Sequence, residues 1–132
     1  MNNRILLIED NRSIMEIYKK ILEEEGYIVT PVEDGLLARE EINRGEWDLM
    51  LLDVMLPKLD GLSLLKELSA NTKLSSKPVL IISNVNEADF IAECKTYGIK
   101  EYIIKAEVLP SEILEKVALY LTKDEHTAVN NI

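Results

Sequence analysis

Four short apolar runs in this chain each end in a residue with chemical capability. Ile5–Ile8 runs into Glu9 and Asp10, Leu49–Leu52 into Asp53, Val79–Ile82 into Ser83 and Asn84, and Tyr102–Ile104 into Lys105. Carboxylates gathered at one place repel one another and raise each other's pKa, which a hard divalent cation relieves. Magnesium suits this role, because it takes oxygen ligands from one or two carboxylates together with phosphate and water. Lys105 would add a point charge suited to phosphate, and Ser83 a hydroxyl donor to a phosphoryl oxygen. Phosphoryl transfer asks for this combination of positioning and charge neutralisation. Within the set, Asp53 is the natural nucleophile for a covalent acyl phosphate. Each residue taken singly has a plainer role. Glu9 and Asp10 would favour the N-terminus of a following helix, Lys105 would snorkel at a strand end, and Ser83 would bond its own backbone in a turn. The coherence of the set favours the chemical reading.

For these residues to meet, the runs must be strands of one sheet pointing the same way. None of the four alternates with polar residues, as expected of strands buried on both faces of a parallel sheet. A fifth candidate, Tyr27–Thr30, runs into Pro31 and suits an edge. Between the runs lie helical patterns. Ile14, Ile17, Tyr18, Ile21 and Leu22 share a face that stops near Gly26, and Leu36, Leu37 and Ile42 continue until Gly45. Leu64, Leu65 and Leu68 mark a third helix. Asn86 with Asp89 opens a fourth that closes near Gly98, and Pro110 starts a fifth carrying Ile113, Leu114, Val117 and Leu121 inward. Strand and helix alternate, so the expected fold is α/β, a single doubly wound sheet. Ligands of such sheets bind at the carboxyl edge, where the polar residues gather.

The chain has 132 residues, enough for one domain with one core. Its 15 basic and 24 acidic residues give a net charge of −9, which argues against direct nucleic-acid binding. Its one cysteine, Cys94, excludes an internal disulfide and reads as a small buried thiol. No apolar stretch approaches the roughly 20 residues of a membrane span, and no signal-peptide pattern opens the chain. A cytoplasmic location with no membrane association is expected. Residues 123–132 are polar and aperiodic and read as a tail or the start of a linker; His126 lies there and reads as inert.

IEDN at residues 8–11 and LLDVMLPKLDG at residues 51–61, with Ser83 and Lys105 at the ends of later strands and Tyr102 three residues before that lysine, resemble the receiver domain of two-component response regulators. The resemblance spans residues 3 to about 122, so the expected division is a receiver over residues 1–122 and the tail beyond. It implies a three-layer flavodoxin-like fold, a parallel five-stranded sheet of order 2-1-3-4-5 with helices on both faces. It implies transfer from a phosphohistidine of a sensor histidine kinase or phosphotransfer protein to Asp53, with magnesium held by Glu9, Asp10, Asp53 and the Met55 carbonyl. Glu9 would act through water. Ser83 and Tyr102 would form the conformational switch, and the face of the fourth helix, fifth strand and fifth helix would meet an output domain or partner, with Phe90 either exposed there or packed in the core. One position departs from the family pattern: Ala106 stands where a cis-proline is usual. A cis bond before alanine costs roughly 2.5–4 kcal/mol, so either strain is kept or the loop is rearranged, with Lys105 still expected to reach the site.

Other readings lead elsewhere. A haloacid-dehalogenase-like phosphatase would need a second aspartate two residues beyond Asp53, where Met55 stands. A flavodoxin would need a hydroxyl- and glycine-rich phosphate loop after the first strand, where Glu9 and Asp10 would repel the phosphate. A degenerate receiver acting as a phosphorylation-independent binding module is the alternative that Ala106 keeps open. The expectation is a phosphoacceptor with slow self-dephosphorylation, not a multi-turnover enzyme.

Overall fold

The computed structural model describes residues 3–130, with side-chain surroundings given through residue 121. Five strands, β1 (Arg4–Ile8), β2 (Ile28–Val32), β3 (Leu49–Leu52), β4 (Val79–Ser83) and β5 (Glu101–Ile104), alternate with five helices. The helices are α1 (Arg12–Glu24), α2 (Gly35–Arg44), α3 (Gly61–Ser69), α4 (Ala88–Lys95) and α5 (Pro110–Asn130). All neighbouring strands pair in parallel, in the order β2-β1-β3-β4-β5. β1, β3 and β4 are central and have helices on both faces, which is why their apolar runs are uninterrupted.

Alternate residues of each strand point to opposite faces and build two cores. Leu6, Ile8, Met50, Leu52, Val79 and Ile81 pack with side chains of α2, α3 and α4. Ile5, Leu7, Leu49, Leu51, Leu80, Ile82 and Ile103 pack with α1 and α5. Helix starts are set by side-chain caps: Asn11, Asp34 and Asp60 each accept backbone N–H groups from the first turn of α1, α2 and α3. α2 ends at Gly45 in the left-handed region, φ 68°, where glycine carries no Cβ penalty. Lys77 completes that corner, donating to the carbonyls of Gly45 (3.0 Å) and Trp47 (2.7 Å).

Several local expectations change. β2 extends through Pro31 to Val32, and the edge position accommodates the proline. On α1 the inward positions are Met15, Tyr18 and Leu22, while Ile17 is exposed. On α2 Ala38 and Ile42 are buried, whereas Leu36 and Leu37 lie outside. α4 starts at Ala88 with Glu87 at its cap position and no side-chain bond there, so Asn86 and Asp89 do not form the expected box. Cys94 is fully buried, and burial pushes its thiol pKa up. The backbone of α5 continues to Asn130. The side chains of the expected polar tail, His126 among them, lie outside the described residues. No helix among the described residues is long and apolar enough to cross a membrane.

Candidate functional site

Strand register assembles the site. Ile8 pairs with Leu52, so Glu9 and Asp53 leave the sheet side by side, and Ser83 pairs with Ile104, which sets Asn84 beside Lys105. All these residues emerge at the carboxyl edge. Glu9, Asp53 and Ser83 are buried there, while Asp10 faces solvent.

Lys105 organises the edge. Its Nζ lies 2.8 Å from Asp53 Oδ2 and 2.6 Å from Glu9 Oε1. The other oxygen of each carboxylate takes a backbone N–H, Met55 to Asp53 Oδ1 at 2.9 Å and Asn11 to Glu9 Oε2 at 3.0 Å. Burial pushes the Glu9 pKa up, and the Lys105 ammonium and the Asn11 N–H only partly offset this. Burial alone would lower Lys105, yet its bonds to Asp53 and Glu9 outweigh that and carry its pKa above the ordinary value. A single ammonium therefore serves two buried carboxylates, with Asp10 a third acidic group beside them.

One carboxylate oxygen from each of Glu9, Asp10 and Asp53 falls within a mutual distance of 4.8 Å. Magnesium holds oxygens at about 2.1 Å, so two of its ligands stand at most about 4.2 Å apart. The donor set is all-oxygen and nearly compact enough, and one carboxylate reaching through a water would make up the difference. These residues fit a hard divalent cation.

The loop from Asp53 to Gly61 is held from below. The Gly61 N–H donates to the Val54 carbonyl at 3.0 Å, and a Cβ on Gly61 would sit 2.5 Å from Val54 Cα. Only glycine allows α3 to start this close to the Asp53 loop. Lys58 takes the left-handed conformation, φ 71°, and its ammonium stands 3.5 Å from Asp34 Oδ2.

On the other side, the Ser83 hydroxyl oxygen accepts the Val85 N–H at 3.1 Å. This is the turn-hydroxyl bond anticipated as its plainer role, and the hydroxyl also makes a side-chain hydrogen bond with Tyr102. The Tyr102 hydroxyl donates to the Val85 carbonyl at 2.6 Å. Burial raises the Tyr102 pKa, with a contact from the Ser83 side chain working the other way. Phe90 is half-buried against the core and meets Tyr102 edge to face, ring centroids 6.5 Å apart. No cis peptide bond occurs among the described residues, and Lys105–Glu107 form a 3-10 turn. The rearranged alternative is thus the one adopted at Ala106, with Lys105 facing Asp53. Two residues noted in the sequence only by position acquire roles here: Gly61 as the close-approach residue, and Asn84, whose Oδ1 accepts the Ala106 N–H at 2.9 Å.

Comparison with known proteins converges on one family. Residues 5–118 match the family model described as the response regulator receiver domain. Chemotaxis protein CheY-3 of Vibrio cholerae is 31% identical over 105 residues, 79% of this chain and 81% of that one. The alkaline phosphatase synthesis transcriptional regulatory protein PhoP of Bacillus subtilis is 33% identical over 97% of this chain, which spans only 52% of that protein. The crystal structure of a CheY-like response regulator receiver domain protein from Methanospirillum hungatei superposes with a TM-score of 0.87 at 27% identity, covering 96% of this chain and 99% of that one.

Proposed function

The chain belongs to the response regulator receiver domain family, and from that premise we propose that Asp53 accepts a phosphoryl group from the phosphohistidine of a sensor histidine kinase or phosphotransfer protein. A carboxylate oxygen of Asp53 bonds to phosphorus, the P–N bond breaks, and its electron pair leaves with the imidazole nitrogen. The observation that carries this reading is the Lys105 ammonium, 2.8 Å from Asp53 and 2.6 Å from Glu9, beside the three-carboxylate cluster.

Each residue takes a role from its position. Lys105 neutralises charge on the incoming phosphoryl oxygens, and Ser83 turns its O–H from Tyr102 to another of them. Glu9, Asp10, Asp53 and the Met55 carbonyl hold magnesium, which when bound supplies charge neutralisation at the phosphoryl oxygens. The phosphoryl group adds roughly −1.5 to −2 charge and three acceptor oxygens. Drawing Ser83 and Lys105 toward it shifts the loop held by Tyr102, and the shift reaches the α4–β5–α5 face, where an output domain or partner docks. Slow hydrolysis of the acyl phosphate resets the domain, so it is a switch and not a multi-turnover enzyme. The receiver occupies residues 1–122, with residues 123–132 leading out of it.

The test is incubation with acetyl phosphate and magnesium, followed by intact mass. A single hydroxylamine-sensitive phosphoryl adduct is expected on the wild type and none on Asp53→Asn, with a magnesium-dependent change in the environment of Tyr102. A wild-type chain that binds magnesium but gains no adduct would favour the binding-module reading.

A further inference from the structure

The structure assigns Asn84 a task beyond the phosphoacceptor set. We infer that it is a positioning residue, which ties the loop carrying Ser83 to the turn carrying Lys105 so that both meet a phosphoryl group as one unit. The inference rests on Asp53 being the phosphoacceptor. It starts from a donor that a proline at position 106 would lack, the Ala106 N–H, which Asn84 Oδ1 accepts at 2.9 Å.

The turn that carries Lys105 is weakly closed from within. Its own closing bond, from the Val108 N–H to the Lys105 carbonyl, is 3.5 Å long, at the far limit of useful hydrogen bonding. The bond from Ala106 to Asn84 is the shorter fastening and comes from a different strand end. Register makes it possible, because pairing of Ser83 with Ile104 sets Asn84 level with Lys105. The Ser83 loop is meanwhile fastened to β5 at its next residue, where Tyr102 donates to the Val85 carbonyl at 2.6 Å. Asn84 and Val85 thus each bind β5 or its continuation, one through a side-chain acceptor and the other through a backbone carbonyl. Between these fastenings the roots of Ser83 and Lys105 cannot shift independently.

The consequence falls on the ammonium. Lys105 Nζ sits between two carboxylates at 2.6 and 2.8 Å, a geometry that tolerates little movement of its backbone. Misplacing a reacting or neutralising group by a fraction of an ångström costs rate even where the fold is untouched. Asn84 is exposed, so water competes for its bond and the effect belongs at the lower end for a neutral hydrogen bond.

The experiment measures phosphorylation rate with acetyl phosphate and magnesium, together with hydrogen exchange at the Ala106 amide without phosphodonor. Asn84→Ala is expected to slow phosphorylation about two- to fivefold and to expose the Ala106 amide. Asn84→Asp keeps an acceptor oxygen and restores amide protection. Ala106→Pro removes the donor and disfavours the helical conformation at Lys105, so in that background Asn84→Ala should change the rate no further. Equal losses from Asn84→Ala in both backgrounds would overturn the inference, since Asn84 would then act through something else. If the wild type takes no phosphoryl group, the phosphoacceptor reading fails. The tie is then judged by exchange alone: an Ala106 amide no better protected in the wild type than in Asn84→Ala overturns it, and protection lost only on removing the acceptor supports it.

Discussion

Replacing Lys105 by methionine keeps the apolar stem and removes the ammonium from between Glu9 and Asp53. Breaking a buried ion pair on one side leaves an uncompensated charge, typically at a cost of about 3–5 kcal/mol. Glu9 sets a tighter limit, because it can escape by taking up a proton. At pH 7, forcing a carboxyl with an ordinary pKa of 4.5 into its neutral form costs about (7 − 4.5) × 1.36, or roughly 3.4 kcal/mol. Part of that is already present in the wild type, whose Glu9 pKa is raised by burial. Asp53 keeps the Met55 N–H and adds less. A loss of about 2–3 kcal/mol at pH 7 is therefore expected. At pH 5 the ceiling falls to (5 − 4.5) × 1.36, about 0.7 kcal/mol. The sign follows from proton binding. In the variant, with the ammonium gone, the folded pKa of Glu9 rises further and a proton that the unfolded chain releases stays bound in the folded state, so the variant's stability falls as pH rises through that window. Asp34 and Glu67 have lowered pKa values, through backbone bonds from Leu37 and a side-chain bond from Arg39 respectively. Their contributions are lost only as pH falls through and below their ordinary values of 3.8 and 4.5 and leave the interval from 5 to 7 clear. Urea titrations at both pH values measure the difference. With a slope of about 1–3 kcal/mol per molar, the Lys105→Met midpoint at pH 7 should drop by roughly 1–2 M and largely recover at pH 5. A deficit under about 1 kcal/mol at pH 7, or one that does not change with pH, would refute the reasoning.

Magnesium at ten times its dissociation constant should stabilise the wild type by about 1.4 kcal/mol. Asp10→Asn should remove most of that gain while raising stability in metal-free buffer, since it takes one of three like charges from the cluster; thermal melts with magnesium and with chelator check both. Gly61→Ala should cost about 1–3 kcal/mol, because its Cβ would press on Val54 Cα at 2.5 Å. It should also slow phosphorylation by shifting the Asp53 loop, whereas Gly26→Ala, with open space around it, should leave that rate unchanged. Lys77→Met should lose about 1–2 kcal/mol through the unpartnered Gly45 and Trp47 carbonyls, measured by urea denaturation with the phosphorylation rate unaffected.

Much of this molecule can be read from the order of its residues, for a definite reason. Strands buried on both faces must be continuously apolar, so a polar residue that follows such a run marks the sheet edge. Residue order alone therefore groups Glu9, Asp10, Asp53, Ser83 and Lys105 at one edge. Helix existence followed from period, but helix rotation did not. Met15 points inward on α1 and Ile17 outward, and Ala38 is buried on α2 while Leu36 and Leu37 are not. An apolar pattern wide enough to allow several rotations is resolved only by the sheet it packs on. The start of α4 also differs from the pattern, since Glu87 and not Asn86 takes the cap position, without a side-chain bond.

The chemical residues were thus determined by the sequence, and their partnerships by the tertiary structure. No local pattern could give one ammonium to both Glu9 and Asp53, or join Asn84 to an amide 22 residues away. Those contacts depend on which strands are neighbours and in what register, a property of the whole sheet. Residue types decide what chemistry is available at the edge. Strand register decides which groups stand close enough to share it.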